Sequence, residues 1–135
     1  MSNTQTTVKK TAVDKAVERY VASWGEPDPA VRRGVVAELW SPEAVYKNST
    51  TEYFGLDGIE TAVAEAYEMF MSKGYVTKVR AVDTNHEAVR YTWELTAPGG
   101  TEPIALGTQI VTLDADGRMV RDHQFLDKAP TGLID

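Results

Sequence analysis

The chain has no cysteine. Disulfides, thiolate metal sites and cysteine nucleophiles are therefore excluded. It has no apolar run long enough to span a bilayer. Histidine occurs only at His86 and His123, without a metal-ligand spacing such as HxxxH. No glycine-rich phosphate loop is present, and Gly99-Gly100 reads as a turn. Ser23, Ser41, Ser49 and Ser72 stand outside any nucleophile-elbow context. Positive charge is scarce: 14 Lys and Arg against 20 Asp and Glu give a net charge of −6. That balance argues against binding a phosphate backbone or an anionic membrane surface. The opening MSNTQTTVKK lacks the apolar segment of a secretory signal. The expectation is a cytoplasmic chain with no metal, no cofactor, no nucleic acid and no membrane partner.

What is present reads as one domain. A chain of 135 residues, 42% of them hydrophobic, can bury roughly two-thirds of its unfolded surface. The expected domain is 1–135, with a core at 11–127 and polar tails at 1–10 and 128–135. Val13, Val17, Tyr20 and Trp24 recur at helical spacing and predict a helix over 11–24, stopped by Gly25-Glu26-Pro27. Asp28 as N-cap and Pro29 at the first helical position open a second helix. It carries Val31, Val35, Val36, Leu39 and Trp40 and ends at Ser41-Pro42. Short strands are predicted at 43–48 and 50–54. Asp57-x-x-Glu60 reads as the start of a third helix, with Ile59, Val63, Tyr67 and Phe70 on one face. Two longer strands follow at 75–83 and 87–96.

The longest pattern is 104–127, two strands around the turn Asp114-Ala115-Asp116-Gly117. In the first arm Ala105, Gly107, Gln109, Val111 and Leu113 share a face. In the second, Val120, Asp122, Gln124 and Leu126 point one way, and Met119, Arg121, His123 and Phe125 the other. Both faces carry apolar residues. One is expected on a pocket or core and the other on further protein. Helices gather early and antiparallel strands late, which predicts an α+β fold. Three helices on one face of a curved, mostly antiparallel sheet would leave a cone open at one end.

This order resembles the nuclear transport factor two-like superfamily, and within it the SnoaL-like proteins. The resemblance rests on Arg19-Tyr20-Val21, Trp24 before Asp28-Pro29, Leu39-Trp40 with Pro42-Glu43-Ala44, Gly55, and Gly58-Ile59. It continues through residues 89–95, residues 107–113, Asp116-Gly117-Arg118 and Phe125-Leu126-Asp127. It implies a cystatin-like cone, commonly a homodimer, in a group that includes steroid isomerases, polyketide cyclases, epoxide hydrolases and proteins without known activity. Tyr20 matches the helix-one tyrosine of ketosteroid isomerases. Their general base falls on Asn48 and their oxyanion acid on Gln109. The aspartates of limonene-type epoxide hydrolases fall on Gln109 and Gln124. An amide cannot take a proton as a carboxylate does, so neither mechanism carries over. The resemblance is nearer to SnoaL-like cyclases, where one aspartate does acid/base work in an apolar cavity.

Asp122 and Tyr20 are accordingly the candidate catalytic residues. Apolar neighbours should raise the Asp122 pKa toward neutrality; the alternative is a structural carboxylate. Trp24, Tyr46, Val63, Tyr67, Phe70 and Trp93 are candidate walls for a small hydrophobic carbonyl or polycyclic ligand, or plain core. Asn48, Gln109 and Gln124 could bind a ligand oxygen or form a buried amide network. Three functions stand side by side: a cofactor-free lyase, isomerase or cyclase working by proton transfer through Asp122; a non-catalytic binder of a small ligand; and, with the weakest support because no exposed hydrophobic motif stands out, a protein-interaction module. The outward side of the hairpin, with Ile104, Leu106, Ile110 and Phe125, predicts a homodimer.

Overall fold

The computed structural model describes residues 10–129. The chain runs α1 (Ala12–Ser23), α2 (Pro29–Leu39), β1 (Trp40–Lys47), β2 (Glu52–Phe54) and α3 (Gly55–Met69). A 3-10 turn (Met71–Lys73) leads to β3 (Val76–Asn85), β4 (Ala88–Thr96), β5 (Pro103–Leu113) and β6 (Met119–Lys128). Thr11 starts α1 with a capping box: its hydroxyl accepts from the Asp14 amide and the Asp14 carboxylate accepts from the Thr11 amide, both at 3.1 Å. Asp28 caps α2 by accepting from Ala30 N at 2.9 Å, with Pro29 in the first turn. Among the described residues no helix is long and apolar enough to cross a membrane.

The sheet order is β2-β1-β6-β5-β4-β3. β1 and β6 pair in parallel, and the other neighbours are antiparallel. β2 and β3 remain as edges, so the sheet curves without closing. Bulges interrupt β3–β4 between Val79 and Ala81 and β5–β6 between Thr112 and Leu113; bulges of this kind bend and twist a strand. All three helices lie on one side. Val17, Tyr20 and Val21 of α1, Val36 of α2 and Ile59 and Val63 of α3 share a core with Trp40, Val89, Tyr91, Val111 and Met119. This is the α+β arrangement expected from the order of elements.

Four local expectations need correction. Trp40 is not the end of a helix; it opens β1, pairs with Met119 and is fully buried. Pro42 disfavours helical backbone in the residue before it, and β6 supplies a strand partner instead. Met119 is not on the outward face. Thr112 pairs with Arg121 but Leu113 with Met119, so one residue of β6 is extra and the alternation reverses. α3 does not start from an Asp57 capping box. It starts at Gly55, whose φ of 71° turns the chain out of β2, and Phe54 provides no side-chain cap. Lys128 is not tail: it ends β6, and its Nζ donates to Pro103 O at 2.9 Å. The rest of the expected tails, 1–9 and 130–135, lies outside the described residues.

Candidate functional site

Between the concave face of the sheet and the helices lies a cavity of about 820 Å³. Strand register decides which polar groups meet it. Tyr91, Gln109 and Gln124 face one another across β4, β5 and β6, and the next row is Val111, Asp122 and Tyr46 across β5, β6 and β1. Gln109 and Asp122 are therefore diagonal neighbours on one face. Trp93 pairs with Gly107. The missing side chain at 107 lets the indole lie across β5, so that Trp93 Nε1 donates to Gln109 Oε1 at 3.0 Å. Gln109 Nε2 then donates to both oxygens of Asp122, at 2.9 and 2.8 Å.

An indole N–H can only donate, so Trp93 fixes the orientation of the Gln109 amide: oxygen toward Trp93, NH2 toward Asp122. Asp122 is 1% exposed. Burial lifts its carboxyl to about 7, while the hydrogen bond from Gln109 pulls the other way. Burial, and then the Asp122 charge, raise the hydroxyls of Tyr20, Tyr46 and Tyr91 above the usual tyrosine range. All three stay protonated as donors. The Tyr91 hydroxyl and the Trp40 indole N–H are buried without a partner among the described residues. Tyr20 packs edge-on against Trp24 and Trp40, with ring centroids 5.6 and 5.3 Å apart.

Of the residues singled out from the sequence, Tyr20, Trp24, Tyr46, Asn48 and Val63 line the cavity, as do Phe70, Trp93, Gln109 and Gln124. Asn48 is partly committed: its Oδ1 accepts from the amides of Thr50 and Thr51 at 3.0 and 2.8 Å, which shapes the loop into β2. Asp122 does not line the wall. It sits directly behind Gln109. Tyr67 is not part of the cavity either. Its ring carries the buried Arg32 guanidinium at 5.0 Å, and Arg32 donates to Glu26 O at 2.5 Å. The reason is helical drift: each i+4 step turns about 40° off the stripe, so Tyr67 has rotated from the sheet toward α2.

The sequence reading did not include Tyr53, Glu65, Glu68, Met71 and Leu95 among the lining residues. Leu95 was legible, since it continues the alternation of Tyr91 and Trp93. Glu65 and Glu68 carried no such signal, because on an isolated helix they read as a solvated face.

An open curved sheet with three helices on its concave side, enclosing an apolar cavity with a buried carboxylate, is the nuclear transport factor two-like architecture. Within it the chain belongs to the SnoaL-like family: residues 17–122 match the SnoaL-like domain. A protein from Agrobacterium tumefaciens C58, described provisionally as an isomerase of the SnoaL-like family, is 29% identical. It superposes with a TM-score of 0.76, over 84% of this chain and 95% of that one. A protein from Jannaschia sp. CCS1, described provisionally as a SnoaL-like polyketide cyclase, is 20% identical, with a TM-score of 0.67 over 90% of this chain and 92% of that one. A nuclear transport factor two-like protein of unknown function from Exiguobacterium sp. 255-15 is 18% identical, with a TM-score of 0.65 over 83% and 98%. The last two likenesses show the fold alone. No curated protein matches the chain.

Proposed function

We propose that the chain is a cofactor-independent enzyme of the isomerase, cyclase or lyase kind, moving a proton on a small hydrophobic carbonyl compound through Asp122. The observation that supports this is a buried carboxylate held by one neutral donor, Gln109, immediately behind the wall of an apolar cavity. A carboxyl near 7 can both take and return a proton at neutral pH. In this reading Gln109 yields one of its two contacts as substrate enters. The freed oxygen of Asp122 takes a proton from the carbon next to the carbonyl. The electron pair moves onto the carbonyl oxygen, where Tyr20 and Gln124 can donate to the developing charge. The Asp122 proton then returns to a different carbon, or to the product of ring closure. The resemblance implies a homodimer, and the apolar outward side of the hairpin supports an interface on the convex side of the sheet. Ile110 and Phe125, 39% and 55% exposed there, support the same arrangement for this chain.

A second reading, a non-catalytic binder of the same ligands, is favoured by one observation: Gln109 occupies both Asp122 oxygens and keeps them out of the wall. The two separate in heavy water. A neutral enolisable probe, 2-tetralone, is incubated with the protein and deuterium uptake next to the carbonyl is followed by NMR. Exchange that is lost in Asp122→Asn, with probe binding retained, supports the enzyme. Binding with exchange no faster than buffer leaves the binder, and exchange above buffer that is equal in the variant rules out the role of Asp122.

A further inference from the structure

The cavity carries a charge asymmetry that proton transfer at Asp122 does not use. Among the described residues no Lys, Arg or His lines it, whereas Glu65 and Glu68 do. Both glutamates are exposed, so they sit at the solvent end, while Asp122 is buried behind Gln109. Neither glutamate takes part in an ion pair among the described residues. Glu65 is also held in place: the Tyr53 hydroxyl donates to its Oε1 at 2.6 Å. The Tyr53 ring stacks on that of Tyr46, with centroids 5.5 Å apart and planes at 22°. Tyr46 in turn is the register partner of Asp122. A strip therefore runs from an anchored carboxylate, over two stacked phenol rings, to a buried carboxyl.

We propose that the ligand is a hydrophobic amine: a molecule carrying a protonated or quaternary nitrogen, taken at the rim by Glu65 and Glu68 and against the free face of the Tyr53–Tyr46 stack. Aromatic faces attract a cation, and more strongly as water is excluded. The two carboxylates add Coulombic attraction that nothing in the lining opposes. A carboxylate or phosphate ligand meets the reverse: no counter-charge at the rim and a third carboxyl behind the Gln109 wall. Combined with the proton-transfer reading, on which only the carbonyl end rests, the substrate class is an amino-ketone or amino-ester with its nitrogen and its carbonyl at opposite ends of an apolar body.

The test is calorimetric titration at neutral pH and low salt with three probes of one skeleton: 1-naphthylmethylammonium, 1-naphthalenemethanol and 1-naphthoate. The ammonium is expected to bind about tenfold tighter than the alcohol, and the carboxylate weakest. In Glu65→Gln/Glu68→Gln the ammonium should fall to the level of the alcohol measured on the same variant. Added salt should weaken the ammonium alone. Tyr53→Phe, which frees Glu65 but keeps the ring, should lose part of the ammonium advantage. An ammonium no tighter than the alcohol, an advantage that survives in the double variant, or no binding by any probe overturns the proposal. Deuterium exchange on neutral 2-tetralone reads Asp122 independently. Exchange without an ammonium preference sinks this inference alone, and an ammonium preference without exchange sinks only the proton-transfer reading.

Discussion

The indole of Trp93 lies across the backbone of Gly107, so closely that a Cβ at 107 would fall 2.2 Å from Trp93 Cζ2. The opposing atoms are a rigid ring system, not the end of a flexible chain. Any side chain at 107 must push the indole off β5 and away from Gln109. Gly107→Ala is expected to destabilise the fold by about 1–3 kcal/mol, the usual cost of overpacking. Urea denaturation of the variant against the wild type measures this. A neutral effect would mean that the indole has another resting place.

Asp122 makes stability depend on pH with a definite sign. Its carboxyl holds a proton up to about 7 in the folded state, against 3.8 for the ordinary group. Between those values the folded state binds more protons than the unfolded one. The stabilising contribution is complete below the unfolded value and is lost as pH rises through the folded one. The span corresponds to a few kcal/mol, roughly 1.4 per unit. Asp122→Asn lacks this titration. The wild type should therefore lose stability relative to the variant on going from about pH 4 to about pH 7. Denaturant midpoints and slopes across the window test it, and a constant difference would contradict it.

Gln109 opposes the effect of burial on Asp122, because its NH2 favours the charged carboxylate. Gln109→Leu removes that donor and keeps the volume. The Asp122 carboxyl should titrate higher than in the wild type, read from its carbon-13 shift. Trp93→Phe should move it in the same direction by less, since the amide would still be present but no longer oriented. A downward move in either variant would show that the amide oxygen, not the NH2, faces Asp122.

Ile110 and Phe125 place apolar surface on the convex side of the sheet. If that surface is the dimer face, Phe125→Glu should convert a dimer into a monomer in light scattering. The cavity is on the other side of the sheet, so probe binding should be retained. A wild-type monomer at micromolar concentration would remove the dimer reading.

The buried Arg32 is held by the Glu26 carbonyl and the Tyr67 ring. Arg32→Met, similar in length, is expected to cost about 1–3 kcal/mol through the lost charged hydrogen bond and the carbonyl left without its donor. Tyr67→Leu should cost less, about 0.5–2 kcal/mol for the cation–π contact, and should leave ligand binding unchanged. A change in probe affinity in Tyr67→Leu would return that residue to the site.

Period and punctuation are local properties, and the sequence by itself determined what depends on them. Asp28-Pro29 opens a helix wherever it lies, because the cap and the fixed φ act within one turn. Strand alternation puts Gln109 and Gly107 on one face of β5, and Asp122 and Gln124 on one face of β6, whatever the strands pair with. The helix-then-strand order and the polar groups available to a cavity follow from that. Tertiary structure alone decided the rest. One extra residue in β6 turned Met119 inward, and β6 drew Trp40 out of the helix into a parallel pair. Packing of α3 between α2 and the sheet set Tyr67 against Arg32 and left Glu65 and Glu68 at the rim. Gln109 stands in front of Asp122 because a glycine on the same strand lets the indole of Trp93 from β4 reach across and hold it. These outcomes depend on register and packing between segments far apart in the chain, where the energy of a side chain is set by neighbours that local spacing does not encode.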